Sequence, residues 1–63
     1  MNPGQILKDK RTSLGLSVND VAVATKISPR VLKALEEGQK ENLPSRSFVR
    51  GFIRSYAQYL KLN

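Results

Sequence analysis

The chain has 63 residues, of which eleven are lysine or arginine and five are aspartate or glutamate, giving a formal net charge of +6. It has neither cysteine nor histidine, which excludes disulfides and zinc sites built on cysteine, and removes the commonest metal ligand and the commonest general base. This inventory argues against an enzyme, a cofactor or a metal site. The positive charge fits either an anionic partner (nucleic acid, an acidic protein surface or anionic lipid) or a basic surface that serves solubility.

The length allows one domain at most, so we expect a single domain over residues 1–63. A chain of this size buries only about 60% of the surface that its unfolded form exposes, and its core must be small. No stretch approaches the roughly 20 apolar residues of a membrane helix. The first ten residues lack the apolar centre of a secretory signal. We therefore expect a soluble cytoplasmic domain, which could also be a piece of a longer protein.

Capping and breaking residues divide the chain into four predicted helices, at about residues 3–14, 18–25, 29–37 and 46–61. The expected N-cap residues are Asn2, Ser17, Ser28 and Ser45. Asp20 is placed to complete a capping box with Ser17. Gly15 and Gly38 are expected to end the first and third helices in the left-handed conformation. No strand pattern occurs, so the predicted fold class is all-α.

The region between the third and fourth helices has two predicted features. Glu36 and Glu37 lie at the negative end of the third helix, where a cationic neighbour is favoured, and we expect Arg46 or Arg50 to supply it. Leu43 precedes a proline and is therefore expected to be extended and to fill the core.

The second and third helices are joined by a short turn at Lys26, which is the layout of a helix-turn-helix. The segment LSVNDVAVATKISPRVLKALEEG (16–38) resembles, without a gap, the helix-turn-helix of the Cro/lambda-repressor class. The matching residues are caps and core aliphatics. They predict a four-helix lambda-repressor-like fold, with a possible fifth helix missing or beyond the C-terminus, and they say less about function.

In that class the third helix enters the major groove of DNA. Here Ser28, Arg30 and Lys33 are the candidate DNA contacts, Arg30 for guanine and Lys33 for phosphate. Pro29, however, stands where such repressors usually carry a base-reading residue, and it has neither a side-chain donor nor a backbone N–H. A DNA-binding regulator is therefore the alternative function, with weak, salt-sensitive binding expected. The simpler interpretation of Arg30 and Lys33 is a solvated helix face.

The fourth helix carries all four aromatic residues of the chain, together with arginines and no acidic residue. At about 100° per residue, one stripe is aliphatic and suited to the core, consisting of Val49, Ile53, Ala57 and Leu60. Tyr56 lies next to this stripe and is expected to be buried. Phe48, Phe52 and Tyr59 lie further round, and four small helices are unlikely to cover them all.

Exposed aromatic rings beside small residues are typical of a protein-binding surface. The small residues on this side of the helix are Ser47, Gly51 and Ser55. Gly51 is notable because a glycine inside a helix costs about 1 kcal/mol relative to alanine and usually has a packing reason. On the opposite flank, Arg46 and Arg54 could steer an acidic partner.

Nearly the whole chain resembles the cytoplasmic helix-turn-helix domain of RodZ-type bacterial cell-shape proteins. The resemblance rests on GQILKDKRTSLGLSVNDVAVATKISPRVLKALEEG followed by LPSRSFVRGFIRSYAQYLKL, and its most specific part runs from Leu43 through RGFIRSYAQYL. It implies the cytoplasmic part of a bitopic inner-membrane protein that binds the actin-like filament protein MreB through the aromatic face of the fourth helix. The partner-binding residues that it implies are Phe48, Phe52, Tyr56, Tyr59, Ser55 and Arg54.

The resulting prediction is a monomeric adaptor domain, not an enzyme, whose membrane attachment lies in a span outside this chain. We expect alanine at Phe48 or Phe52 to abolish filament binding while leaving the thermal midpoint nearly unchanged. A weaker interpretation has the basic flank of the fourth helix contacting anionic lipid near such a span.

Overall fold

A computed structural model describes residues 3–62. Its four α-helices are α1 (Pro3–Ser13), α2 (Val18–Thr25), α3 (Pro29–Glu37) and α4 (Arg46–Tyr59), with a short 3-10 turn at Lys40–Asn42 before α4. No strand occurs within residues 3–62, and the predicted all-α fold class is confirmed. The predicted cap at Asn2 lies outside the described residues.

Side-chain caps begin two of the helices as predicted. The Ser17 hydroxyl accepts a hydrogen bond from the Asp20 backbone N–H at 3.0 Å, and the Asp20 carboxylate accepts one from the Ser17 N–H at 2.9 Å. This reciprocal pair is the predicted capping box of α2. The Ser28 hydroxyl caps α3 by accepting from the Val31 N–H at 3.2 Å. Ser45 is the N-cap residue of α4, as predicted, and has the extended N-cap conformation, but its hydroxyl makes no capping hydrogen bond.

Left-handed residues end α1, α2 and α3. Gly15 and Gly38 have φ angles of 72° and 67°, as expected. Between α2 and α3 the left-handed residue is Lys26, with φ 62° and ψ 25°, and its N–H donates to the Ala22 carbonyl at 2.8 Å. A residue with a Cβ adopts this conformation at a cost of roughly 1–2 kcal/mol. The turn between α2 and α3 is therefore left-handed at a residue that is not glycine.

The core forms where the four helices meet, with α1 packed on α3 and α2 packed on both α3 and α4. Its fully buried members come from every helix and from the two segments that follow α2 and α4: Leu7, Val21, Ile27, Leu32, Tyr56 and Leu60. Ile53 and Ala57 are partly buried and pack against this cluster, so the aliphatic stripe of α4 faces inward as predicted.

Leu43 is extended, with φ −100° and ψ 146°, but the expectation that it fills the core is wrong. It is half-buried and does not belong to the core cluster. Instead it lines a cavity of about 390 Å³ together with Leu35, Val49 and Ile53.

The first turn of α1 lies unusually close to the end of α3. Gly4 is buried, and a Cβ atom on it would lie 2.0 Å from the Leu35 carbonyl oxygen and 2.9 Å from that of Glu36. Only glycine allows the two backbones to approach this closely. The sequence alone does not predict this contact, because a glycine near a helix N-terminus is not a signal of packing.

Candidate protein-binding surface on the fourth helix

Two phenylalanines form the centre of the candidate surface. Phe48, in the first turn of α4, has 63% of its surface exposed. Phe52, one turn later, is half-buried and packs against the core. Their rings stack with centroids 6.3 Å apart and an angle of 28° between planes, a separation within the range of favourable aromatic pairs. The partly buried ring of Phe52 therefore lies against the exposed ring of Phe48 and supports it.

The remaining expected contact residues of α4 differ in exposure. Tyr59 is 39% exposed, and Arg54 and Ser55 are exposed. Tyr56 is fully buried, with an exposed fraction of 0%. Its expected role as a partner contact is therefore wrong, because its position on the helix follows the aliphatic stripe into the core. The periodicity of the sequence predicts this burial, whereas the family resemblance places Tyr56 among the contacts.

The flanks of the aromatic residues are basic and small. Arg46, Arg50 and Arg54 are all exposed, and α4 has no acidic residue. Ser47, Gly51 and Ser55 are also exposed. We call the resulting surface the α4 surface. It consists of the exposed side chains of Phe48 and Tyr59, the supporting ring of Phe52, and the arginines and small residues just named. Such a surface offers an aromatic anchor on one flank and positive charge on the other, with the small residues between them.

A buried ionic network fixes α4 to the rest of the domain. Glu36, at the end of α3, accepts hydrogen bonds from Arg11 of α1, from Nε to Oε2 at 2.7 Å and from a terminal guanidinium nitrogen to Oε1 at 3.0 Å. The hydroxyl of Tyr56 donates to the same Oε2 atom. Arg11 also donates to the Leu16 carbonyl at 2.8 Å. The Arg11 and Glu36 side chains are only 11% and 3% exposed.

The cation beside Glu36 is not one of those that the sequence predicts. The prediction is Arg46 or Arg50, but Arg11 neutralises the Glu36 carboxylate, and Arg11–Glu36 is the sole ion pair within residues 3–62. The physical reason is geometric. The carboxylate of Glu36 points into the core between α1 and α4, whereas Arg46 and Arg50 lie on the outer side of α4.

The pKa directions in the network follow from its burial. The hydrogen bond to Glu36 is the main cause that raises the pKa of Arg11. Burial raises the pKa of Tyr56 far above its usual value, and the hydrogen bond to the Glu36 carboxylate raises it further. Every buried side-chain nitrogen and oxygen in the described part of the chain has a hydrogen-bond partner. The network is therefore satisfied internally and serves to hold the helices together.

The candidate DNA-binding residues lie on a different face. Arg30 and Lys33 are exposed and line, with Lys8, a cavity of about 530 Å³ between α1 and α3. Glu36 and Glu37 line the same cavity, so the lining combines carboxylates with the cations. A phosphate placed there would meet both charges.

Ser28 is separated from this pair. Its hydroxyl accepts the capping hydrogen bond of Val31, and it lines a second cavity, of about 460 Å³, beside Pro29 and Val23. Val23 is 81% exposed there. The lining of this second cavity mixes polar side chains with apolar ones, and Ser28 is not among the residues that line the cavity of Arg30 and Lys33.

Within residues 3–62, no three histidine, cysteine, aspartate or glutamate side chains come together in a way that could hold a metal ion. None of the described helices is both long enough and apolar enough to span a membrane.

Comparison with known sequences defines the class of protein. Residues 6–63 match a family described as a helix-turn-helix domain. Since this match covers most of the chain, the chain belongs to that family, which is not a family of enzymes. No solved structure matches the chain significantly.

Three curated relatives narrow the class. An uncharacterized protein of Haemophilus influenzae is 38% identical over 98% of the chain and 21% of its own length. The uncharacterized membrane protein YmfM of Bacillus subtilis is 44% identical over 76% of the chain and 17% of its own length. The cytoskeleton protein RodZ of Streptococcus pneumoniae is 32% identical over 95% of the chain and 22% of its own length.

The chain is thus a RodZ-like helix-turn-helix domain, as its sequence pattern suggested. It spans about a fifth of the length of the curated relatives that it matches.

Proposed function

We propose that this domain is a cytoskeletal adaptor that docks on a filament of the actin-like protein MreB through the α4 surface. The observation that carries the proposal is the exposure of Phe48, 63% of whose surface is in contact with solvent while its ring is held on that of Phe52. A large ring kept in water gains nothing for the fold. Removed from water by a partner, it becomes the kind of aromatic anchor that dominates protein interfaces.

Charge supports the same surface. The three exposed arginines of α4 lie on the other side of its small residues from the aromatic residues, and α4 has no acidic residue. Such a basic flank accelerates encounter with an acidic surface and disfavours basic ones. The proposal therefore assigns anchoring to Phe48, support to Phe52, and steering to Arg54 with its neighbours. Tyr59 and Ser55 extend the contact toward the end of the helix.

The relatives support a cytoskeletal role and a membrane location. One is a cytoskeleton protein and another a membrane protein by name. We propose that the domain acts on the cytoplasmic face of the bacterial inner membrane, attached through a membrane span outside residues 1–63, and contributes to cell-shape control. In this arrangement it is a monomeric binding module with no catalytic part.

The proposal is tested by co-sedimentation of the domain with polymerised MreB from the same organism. Phe48→Ala should lower the affinity by about thirtyfold or more, since an interface hot spot is worth about 2 kcal/mol or more. Its thermal midpoint should stay close to that of the wild type, because Phe48 contributes little to the core. Val23→Ala removes an apolar side chain of α2 that is even more exposed than Phe48, and it should bind normally.

The sequence predicts that Phe52→Ala leaves the thermal midpoint nearly unchanged, but the structure predicts a loss of stability. Because Phe52 packs against the core, its truncation should reduce stability by about 2 kcal/mol as well as weaken binding. Phe48→Ala is therefore the diagnostic variant. Normal co-sedimentation of Phe48→Ala, or none by the wild-type domain, would contradict the proposal.

A DNA-binding regulator is the second candidate, favoured by the convergence of Arg30, Lys33 and Lys8 on one cavity. It predicts affinity for duplex DNA that falls steeply with salt and that is lost in the Arg30→Ala/Lys33→Ala double variant. The nearby carboxylates of Glu36 and Glu37 predict that such binding is weak. Filament binding that survives this double variant would separate the two functions.

A further inference from the structure

Gly51 is an exposed glycine in the interior of α4 that the fold itself does not explain. A Cβ atom placed on Gly51 would meet no atom within 4 Å outside the local helix backbone. Its backbone is helical and it is absent from the positions of positive φ. Glycine is the poorest helix former after proline. The packing reason that the sequence predicts is therefore not found within residues 3–62.

The other described glycines are explained inside the chain. Gly4 allows the close contact between α1 and α3, and Gly15 and Gly38 adopt left-handed conformations after helices. Gly51 alone among them has neither a close neighbour nor an unusual backbone angle. Gly51 weakens α4 in the isolated domain, and no contact within the described residues requires it. This combination points to a contact made with another molecule.

The position of Gly51 relative to the aromatic pair indicates which contact this is. Gly51 follows Phe48 by three residues, a spacing that places the two side by side on a helix surface. Phe48 therefore projects beside a point where the helix has no side chain. A partner that receives the ring of Phe48 in a pocket must bring its own surface down on Gly51.

We propose that Gly51 is the point of closest approach between this domain and its filament partner. The proposal rests on the proposed function. It states that a backbone segment of the filament subunit lies directly on Gly51, with an apolar pocket for Phe48 on one side. Carboxylates of the subunit face the arginine-rich flank of α4, which has no acid of its own. Gly51 then determines specificity, because only a helix lacking a side chain here admits that backbone.

The test combines stability and binding in one variant, Gly51→Ala. Open space around the position means that the new methyl group meets no obstacle in the free domain, so its higher helix propensity should raise the melting temperature by about 4–8 °C. The same methyl group should keep the partner backbone at a distance and lower the affinity for polymerised MreB about tenfold. Gly51→Leu, which also favours the helix, should bind more weakly still.

Val23→Ala is the matched control, since Val23 is an exposed residue inside α2, and alanine is the better helix former there as well. It should leave co-sedimentation unchanged. A merely structural role for Gly51 would change stability and binding in the same direction, whereas the proposal requires opposite directions.

The outcomes separate this inference from the function on which it rests. If wild-type domain binds, Phe48→Ala does not, and Gly51→Ala binds as tightly as wild type, the close approach at Gly51 is wrong while the adaptor function stands. A lower melting temperature in Gly51→Ala would also overturn the inference, because the glycine would then be needed by the fold. If the wild-type domain does not bind filaments, both are overturned.

Discussion

The hydroxyl of Tyr56 in α4 donates a hydrogen bond to the Oε2 atom of Glu36 at the end of α3, inside the core. The same oxygen accepts from Arg11 at 2.7 Å, so one carboxylate connects α1, α3 and α4. Tyr56 follows Phe52 by one helical turn. The network therefore fixes how α4 is rotated on the domain, and with it the direction in which the ring of Phe48 projects.

Removing Arg11 should strongly destabilise the domain. In Arg11→Met the Glu36 side chain, which is only 3% exposed, stays buried but loses its counter-charge. Breaking a buried pair in this way typically costs about 3–5 kcal/mol, which is comparable with the whole stability of a domain of this size. Thermal unfolding followed by circular dichroism should show a large loss of melting temperature.

The control for this prediction is the triple variant Arg11→Met/Glu36→Leu/Tyr56→Phe, in which both charges and the hydroxyl that donates to Glu36 are replaced by apolar groups. It should recover much of the loss, since replacement of a buried pair by packed apolar side chains is often neutral. An unchanged melting temperature in Arg11→Met alone would show that the pair contributes nothing to the fold.

The network also predicts loss of stability at alkaline pH. Burial and the Glu36 hydrogen bond raise the pKa of Tyr56 in the folded state, whereas in the unfolded chain it titrates near the usual tyrosine value of about 10. Below that pH both states are protonated and the full contribution is present. Above it the unfolded state loses the proton first, so stability falls as pH rises from about 10 toward the folded pKa.

The measurement is chemical denaturation between neutral and strongly alkaline pH, with Tyr56→Phe for comparison. The variant is less stable at neutral pH, because a hydrogen bond to a charged group is worth about 1.5–3 kcal/mol, but the Tyr56 contribution to the alkaline decline should be missing. Tyr59→Phe is the matched control and should retain that contribution. If the free energy of unfolding falls equally steeply with pH in the wild type and in Tyr56→Phe, the alkaline loss of stability does not come from Tyr56.

Local signals made the fold largely predictable. Serine and proline at helix starts, and glycine at helix ends, predict α2 and α3 because these residues act on the backbone within a few positions of themselves. The inward stripe of α4 follows in the same way from helical periodicity. Ser45 is the N-cap residue of α4 as predicted, but the sequence does not reveal whether its hydroxyl makes the capping hydrogen bond, and in the structure it does not.

The parts that the sequence did not predict depend on distant residues. Arg11 and Glu36 are 25 positions apart, and nothing in the local pattern distinguishes Arg11 from Arg46 or Arg50 as the partner. Gly4 and the carbonyl of Leu35 meet for the same reason only in the folded chain. For the α4 surface, periodicity correctly separates Tyr56 from the other aromatic residues. It does not predict that Phe52 is partly covered while Phe48 is left in solvent.

Gly4→Ala should be destabilising, in contrast to Gly51→Ala. The added methyl carbon would lie 2.0 Å from the Leu35 carbonyl oxygen, a distance that requires α1 to move away from α3 or its first turn to unwind. Overpacking of this kind costs about 1–3 kcal/mol, and the melting temperature should fall accordingly. Because both changes add one methyl group to a helical glycine, each serves as the other's control. A rise in melting temperature for both would contradict the close contact between α1 and α3.

Lys26→Gly should stabilise the domain, because Lys26 holds the left-handed conformation at φ 62° in the turn between α2 and α3. Glycine adopts this conformation without the steric cost of a Cβ, although it loses more conformational entropy on folding. The free energy of unfolding should rise by about 0.5 kcal/mol, which corresponds to a few degrees in melting temperature. Lys26→Ala removes the same side chain but keeps the Cβ, and it should show no gain. Equal stability of the two variants would mean that the turn carries no strain, and that the lysine is tolerated in place of glycine at no cost.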